Sequence, residues 1–89
     1  MSVVQVRLAA LLHGYTGGRS QLPAEGETLG EVLADLDRRC PGLRFRVIDE
    51  QERVRRHMRC FINDADARHA ATPVAAGDEV FIVGALSGG

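Results

Sequence analysis

The stretch Thr28–Cys40, TLGEVLADLDRRC, decides the fold class of this chain, because it carries a strong and complete helix signal. Apolar residues recur in it at spacings of three and four, which places them on one face of a helix. They are Leu29, Val32, Leu33, Leu36 and Cys40. Thr28 and Glu31 form a capping-box pattern at the start, and Pro41-Gly42 stops the helix. The sequence therefore predicts one main helix that buries a single face.

Strands are predicted on both sides of this helix. Val4, Val6 and Leu8 alternate with more polar residues, which is typical of a half-buried strand, and this strand can run on to Leu11 or Leu12. The same alternation, with turn residues between the segments, gives five strands. They cover residues 4–8, 19–24, 58–62, 65–70 and 79–83. Pro23 has no backbone N–H to donate, so the second strand belongs at a sheet edge.

The segments between these elements are predicted to be irregular. Residues 13–18 are dense in turn formers, and residues 43–57 lack clear periodicity. The first and last strands are the most apolar, so we expect them to be central neighbours. The result is an α+β fold in which a mixed sheet of four to five strands packs on one main helix. We expect residues 1–84 to form this domain and residues 85–89 to form a flexible tail.

Composition excludes several classes of function. The chain has 89 residues, enough for one domain with a modest core, and a net charge of -1. Its apolar runs are far shorter than the ~20 residues of a membrane span, and its start does not resemble a signal peptide, so we expect a cytoplasmic protein without a membrane partner. Between residues 44 and 68, arginines are interleaved with acidic residues, and aromatic residues are few. This composition does not favour nucleic-acid binding.

Cysteine and lysine usage is informative. Cys40 and Cys60 are too few for a disulfide framework, and both fit buried apolar positions. His57 and Cys60 would lie on opposite faces of a strand, so no metal site is predicted. All eleven basic residues are arginine. Codon bias can explain this, but the chain also offers no lysine amine that an activated C-terminus could acylate.

The C-terminal segment Glu79–Gly89, EVFIVGALSGG, predicts a strand that runs into a bare tail. The backbone of Gly88-Gly89 has no Cβ atoms, so it can enter a narrow slot that any side chain would block. The carboxylate at Gly89 would then reach an enzyme that activates it. A frayed terminus, or a remnant of an expression vector, is the alternative interpretation.

The strand order, the segment Gly77–Val80 (GDEV) before the last strand and the terminal Gly88-Gly89 together resemble a known family. The chain is similar to the ubiquitin-like sulfur carrier proteins of the ThiS/MoaD/CysO group. Residues Phe61–Arg68 and Thr16–Gly18 are most similar to the CysO branch, which supplies sulfur for cysteine synthesis. The resemblance covers essentially the whole chain and implies a β-grasp, or ubiquitin-like, fold.

The resemblance implies a protein co-substrate that binds no cofactor or metal itself. A ubiquitin-activating-like adenylyltransferase and sulfurtransferase would use ATP to adenylylate Gly89, next to Gly88, and then convert it to a thiocarboxylate. This sulfur would pass to a second enzyme, for example a pyridoxal-phosphate-dependent cysteine synthase. The acid, base and electrostatic catalysis would belong to these partner enzymes.

The partner-binding face is expected on the side of the sheet away from the helix. If Val80 and Ile82 continue the core, Phe81 and Val83 point outwards. The resemblance places Val83 against the activating partner, with Arg7 and Ala9 beside it on the first strand. It also implies contacts of Leu86 and Ser87 in the tail. Alternatively, residues 43–57 cover Phe81.

Three other functions remain open at this stage. The chain can be the small subunit of molybdopterin synthase, which also carries a C-terminal thiocarboxylate. It can be a ubiquitin-like modifier that forms an isopeptide bond from Gly89 to a target lysine. It can also be a passive β-grasp interaction module in which Gly88-Gly89 has no chemical role.

Overall fold

The computed structural model describes residues 2–84, which form five strands, one main helix and three short helical segments. The strands are β1 (Val3–Leu8), β2 (Gln21–Glu25), β3 (Met58–Ile62), β4 (Ala65–Ala67) and β5 (Glu79–Gly84). The main helix is α2 (Leu29–Arg39), and the short segments are a 3-10 turn (Ala10–Leu12), α1 (His13–Thr16) and α3 (Leu43–Val47). The chain order of the strands and of the main helix is the predicted one.

All five strands belong to one mixed sheet in the order β2-β1-β5-β3-β4. The first and last strands, β1 and β5, are parallel neighbours at the centre, and the other pairs are antiparallel. The predicted central pair is therefore confirmed. β2 is an edge strand as Pro23 requires, and the Pro23 carbonyl accepts a hydrogen bond from Arg39 Nη2 at 2.8 Å.

The main helix begins at a capped residue. Thr28 Oγ1 accepts a hydrogen bond from the Glu31 backbone N–H at 3.2 Å. In the reciprocal half of a capping box the Glu31 carboxylate would bind the Thr28 N–H, but here Glu31 Oε1 accepts from the Glu27 N–H at 2.9 Å. Both interactions satisfy backbone donors that have no partner within the helix.

The helix is fixed to the sheet edge by Asp35. Its carboxylate accepts a hydrogen bond from the Glu25 backbone N–H on β2 at 3.0 Å and forms ion pairs with Arg38 and Arg39. The Glu25 N–H, followed by the Arg38 side chain, lowers the pKa of Asp35 below its usual value. Asp35 therefore joins two arginines of the last helical turn to the edge strand.

The core lies between one face of the sheet and the apolar face of α2. From the sheet, alternate residues of β1, β2, β3 and β5 are buried, together with the last residue of β4: Val4, Val6, Leu8, Leu22, Ala24, Met58, Cys60, Ile62, Ala67, Val80 and Ile82. From the helix, the buried side chains are Leu29, Val32, Leu33 and Leu36. A single helix packed across a mixed five-stranded sheet is the predicted β-grasp fold, which is confirmed.

The segment after β1 differs from the prediction. The strand ends at Leu8 and does not continue to Leu11 or Leu12; Ala10–Leu12 form a 3-10 turn instead. This turn carries Leu12 beneath the sheet, where it is fully buried, whereas Leu11 stays half exposed. The His13 Nε2 atom lies 2.9 Å from the Leu8 carbonyl oxygen and closes the bend. Burial of Leu12 thus overrides the extended pattern.

Other element boundaries also shift. One helical turn, α1, lies within the predicted loop 13–18 and ends at Gly17, which has a φ of 67°. Residues 43–57 contain the short helix α3, whose Leu43 and Val47 are buried. β2 begins two residues later than predicted, and β4 ends at Ala67 rather than at residue 70. These segments are too short for a periodic pattern to define them.

Candidate functional site

The last strand, β5, leads towards the C-terminal glycines and forms the centre of the candidate site. Val80 and Ile82 are fully buried, while Phe81 is 38% exposed and Val83 is partly exposed. This is the orientation predicted from the alternation. β5 therefore presents Phe81 and Val83 on the sheet face away from α2.

Arg7 lies beside Phe81 on this outward face. The two residues are opposite each other in the β1–β5 register, and Arg7 Cζ lies 5.4 Å from the centroid of the Phe81 ring. Arg7 Nη1 also lies 3.8 Å from Glu79 Oε1. Ala9 follows the end of β1, and its N–H donates to the Ile82 carbonyl at 2.9 Å. The structure thus brings both residues next to β5, but Ala9 lies beyond the end of β1 and not on the strand as predicted, because the chain bends into the 3-10 turn after Leu8.

Two further residues of this face were missing from the prediction. β3 pairs with β5 on its other side, with Phe61 opposite Phe81 and Arg59 opposite Val83. Phe61 is partly exposed and Arg59 exposed. Their alternation with buried Met58, Cys60 and Ile62 gave their orientation, but the sequence did not reveal that β3 is the neighbour of β5. The face therefore has two phenyl rings with an arginine on either side.

Residues 43–57 do not cover Phe81, so that alternative is wrong. The helix α3 at the start of this segment packs against α2, which lies on the opposite face of the sheet. The Arg55 N–H donates to the Val47 carbonyl at 2.9 Å and holds the rest of the segment near α3. Phe81 remains more than one third exposed.

The start of β5 is fixed by the GDEV segment. Asp78 accepts hydrogen bonds from the Ala75 N–H and from Asn63 Nδ2, both at 2.8 Å. The bond from the Ala75 N–H, followed by the bond from the Asn63 side chain, lowers the pKa of Asp78. Asn63 Oδ1 in turn accepts a hydrogen bond from the Glu79 N–H at 2.9 Å. Gly77 has a φ of 86°, a backbone conformation that favours glycine. The motif therefore joins the β3–β4 turn to the first residue of β5.

The end of β5 passes close to Leu11, a residue without a functional prediction. A Cβ atom at Gly84 would overlap the Leu11 side chain, which is half exposed. Gly84 pairs with Met58 on β3. A larger residue at position 84 would therefore have to displace Leu11 where the chain leaves the sheet.

The remaining predicted site residues lie outside the described part of the chain. They are Leu86, Ser87, Gly88 and Gly89. Within residues 2–84, no helix is long and apolar enough to cross a membrane, and no group of three or more His, Cys, Asp or Glu side chains could hold a metal ion.

Comparison with known proteins gives matches along nearly the whole chain. The model of the ThiS family matches residues 6–89. The chain is 35% identical over 91 residues to the sulfur carrier protein CysO of Mycobacterium tuberculosis strain H37Rv, covering 97% of this chain and 98% of that protein.

Two solved structures share the fold and a significant part of the sequence. The crystal structure of Mycobacterium tuberculosis CysO matches with a TM-score of 0.86 and 33% identity, covering 93% of this chain and 99% of the other. A crystal structure of the Amycolatopsis orientalis BexX/CysO complex matches with a TM-score of 0.87 and 30% identity, covering 97% and 99%. These matches confirm the resemblance that the GDEV segment and the terminal glycines indicated, and the chain belongs to the ThiS family.

Proposed function

We propose that this protein is a sulfur carrier whose C-terminal carboxylate at Gly89 is converted to a thiocarboxylate. One observation carries the proposal: the family match extends to residue 89, and the similarity to the CysO sulfur carrier spans almost the full length of both chains. The fold supports it, because β5 directs the chain from the middle of the sheet towards the terminal Gly88-Gly89.

The proposed chemistry starts with activation of the carboxylate. A carboxylate is a poor electrophile because its negative charge is delocalised over two oxygens. An adenylyltransferase partner joins a Gly89 carboxylate oxygen to the α-phosphorus of ATP, and pyrophosphate leaves. Sulfide or a persulfide then attacks the acyl carbon, the bond to the AMP oxygen breaks, and AMP leaves with the electron pair. With a persulfide, reduction of the resulting acyl disulfide by a thiol releases the thiocarboxylate.

In the second half of the cycle, the thiocarboxylate sulfur attacks an electrophilic acceptor on another enzyme. An aminoacrylate bound to a pyridoxal-phosphate enzyme is such an acceptor, and cysteine or another sulfur-containing metabolite would be the product. The carrier is therefore a co-substrate, and its partners supply the catalytic groups. Because activation consumes ATP, we place this cycle in the cytoplasm.

We assign partner binding to the outward sheet face. Phe81, Val83 and Arg7 form its centre, and Phe61 extends it. Exposed apolar residues grouped on a small domain are typical of a partner site. We propose that Ala9 borders this face and that Leu86 and Ser87 in the tail enter the contact with the activating enzyme.

Intact mass spectrometry of the protein isolated from its native host tests the proposed chemistry. Replacement of one carboxylate oxygen by sulfur raises the mass of the protein by the difference between the atomic masses of sulfur and oxygen. A variant that lacks Gly89 should not show this heavier form. Large adducts instead would indicate a protein modifier, and co-purification with a large molybdopterin synthase subunit would indicate that enzyme. A Gly89-deleted variant that still delivers sulfur would disprove the proposal.

Substitution of Phe81 tests the assigned face. Phe81→Ser removes the ring that Arg7 and Phe61 flank, and we expect roughly tenfold weaker binding to the activating enzyme, measured by calorimetry. Val3→Ser is the control for the centre of this face, because Val3 is 47% exposed on the same side of the sheet but lies at the other end of β1 from Arg7. Equal losses for both variants, or none for Phe81→Ser, would contradict the assignment.

A further inference from the structure

A second surface, which adjoins the outward face around Phe81 and shares Arg59 with it, is rich in arginine. A groove of about 200 Å³ at the β3–β4 side of the sheet is lined by Arg55, Arg56, Arg59 and Arg68, with Asp66 as its acidic residue. Arg68 Nε donates to Asp66 Oδ2 at 3.0 Å. Among the side chains of residues 2–84, no carboxylate lies within 4.0 Å of the other three guanidinium groups. The groove therefore carries a local excess of positive charge.

Arg55 is held in a fixed orientation at the centre of this surface. Its Nε atom donates to the Phe45 carbonyl at 2.7 Å, and its Cζ atom lies 4.3 Å from the centroid of the Phe45 ring. Its Nη2 atom is buried and has no hydrogen-bond partner in the described part of the chain. The stacking and the backbone bond therefore fix this guanidinium, and only the part of it that is not buried can bind a carboxylate.

The surface continues past Arg55 into an aromatic groove. This second groove, of about 500 Å³, is lined on its aromatic side by Tyr15 and Phe45 and on its charged side by Arg46, Glu50 and His57. Phe45 is 60% exposed, the largest exposed fraction among the large apolar side chains of residues 2–84. Arg55 lines both grooves and joins them into one surface.

This surface borders the point where β5 ends. Met58 lines the smaller groove and is the pairing partner of Gly84, the last residue of β5. Five residues separate Gly84 from the C-terminus, so a protein that holds Gly89 acts within about 18 Å of this point. The outward sheet face and the arginine surface would then flank the same exit point.

We propose that this surface, formed by Arg55, Arg56, Arg59 and Arg68 with Phe45, docks an acidic segment of the partner protein that handles the C-terminus. Aspartate or glutamate side chains of that segment would bind the guanidinium groups, and an apolar residue would contact Phe45. The identity of the partner rests on the proposed function, whereas the acidic character of the segment rests only on the charges described above.

A nucleic acid fits this surface less well. The whole chain has a net charge of -1, so the positive charge is confined to this surface and does not extend along the length that a phosphate backbone would need. Acidic Asp66 and Glu50 line the two grooves, and Arg55 already covers one face of the Phe45 ring, which leaves less room for base stacking.

The test uses a hexaglutamate peptide ending in phenylalanine as the probe, with the full-length protein labelled for NMR. We expect the peptide to shift amide signals of residues 53–59 and 66–68, and to bind more weakly as salt increases. The double variant Arg56→Gln, Arg59→Gln should weaken binding by about two- to fivefold per arginine. Arg19→Gln, at the opposite side of the sheet, is the control for loss of one positive charge outside this surface, and it should bind like the wild type.

Arg55→Lys tests the fixed guanidinium. It keeps the charge but loses the stacking on Phe45 and the hydrogen bond to the Phe45 carbonyl, which fix the guanidinium in place, so we expect it to weaken peptide binding by a larger factor than Arg56→Gln does. Since Arg55 also bonds to the backbone, amide spectra of the free variant must first show the native fold. If they do not, the Arg56/Arg59 double variant alone decides the outcome.

Three results would overturn the proposal. They are no binding of the peptide, equal binding by the wild type and the Arg56/Arg59 double variant, and tighter binding of an oligouridine RNA than of the peptide. A chain shortened by Gly88 and Gly89 separates this proposal from the proposed function. It should lose all thiocarboxylate chemistry yet bind the peptide with an unchanged dissociation constant.

Discussion

Cys60 illustrates how burial removes a reactive group at the scale of one residue. Its side chain is fully enclosed on β3, and desolvation, with a smaller contribution from Asp66, raises the pKa of the thiol from 9.0 to about 12. The thiolate is the nucleophilic form of cysteine, and it does not form at neutral pH in this environment. Cys40 is buried as well. Neither thiol is thus available to attack an activated C-terminus.

The raised pKa predicts a loss of stability at alkaline pH. Between about pH 9 and pH 12 the unfolded chain releases the Cys60 proton while the folded chain retains it, so the folded state binds more protons and the free energy of unfolding falls as pH rises. Urea unfolding at pH 8, 9 and 10 measures this slope. Cys60→Ala should have a shallower slope than the wild type. Identical slopes for the two proteins would contradict this explanation.

At the scale of the element, the main helix depends on its first turn. Thr28 caps it through the Glu31 N–H, and Leu29 donates its own N–H to the Thr72 carbonyl at 2.9 Å. At the same end the Gly30 N–H donates to the Ala70 carbonyl at 2.8 Å. The loop that follows β4 therefore supplies acceptors for backbone donors that a helix leaves free. The capping residues were predictable, whereas the two carbonyl acceptors come from distant sequence.

Removal of the cap should destabilise the protein measurably. Thr28→Ala deletes the side-chain acceptor, and we expect the free energy of unfolding in urea to fall by about 1 kcal/mol. Thr28→Ser keeps the oxygen and is the matched control, with an expected change well below that of alanine. If the serine variant loses as much as the alanine variant, the hydrogen bond is not the cause.

The short helical segments show the limit of prediction for elements. The 3-10 turn Ala10–Leu12, α1 and α3 each have five residues or fewer, so no helical period is visible in them. Tertiary contacts determine their conformation. Leu12, Leu43 and Val47 are fully buried, and the local backbone takes the shape that brings them into the core.

The lack of lysine amines and of exposed cysteine thiols is a property of the whole molecule. All eleven basic residues are arginine, whose guanidinium group stays protonated at neutral pH, and both thiols are buried. If the proposed function is correct, one activated chain has no lysine side chain or accessible thiol of a second copy to acylate. The composition would then protect the carrier from modifying itself.

Introduction of one lysine tests this idea. Arg19→Lys places an amine at an exposed position, and incubation with the activating enzyme and ATP should give chains covalently linked through that lysine, detected by intact mass and peptide mapping. Arg19→Gln is the control and should give no such species, as should the wild type. Equal amounts of cross-linked chains in all three samples would show that lysine is irrelevant.

Local sequence patterns by themselves determined the main helix, the existence of five strands and the orientation of Phe81 and Val83. These features were predictable because the periods of 3.6 and 2 residues are properties of neighbouring side chains. The terminal glycines and the GDEV segment also gave the family, through resemblance.

Only the tertiary structure decided which side chains from different segments share a surface. Strand order made Phe61 and Arg59 neighbours of β5, and the turn after Leu8 brought Leu11 against Gly84. The same folding placed Arg55 on Phe45, ten residues earlier in the chain, and opened a groove towards Arg68. The physical reason is that strand pairing and core burial minimise free energy over contacts between distant residues, and no local period records those contacts.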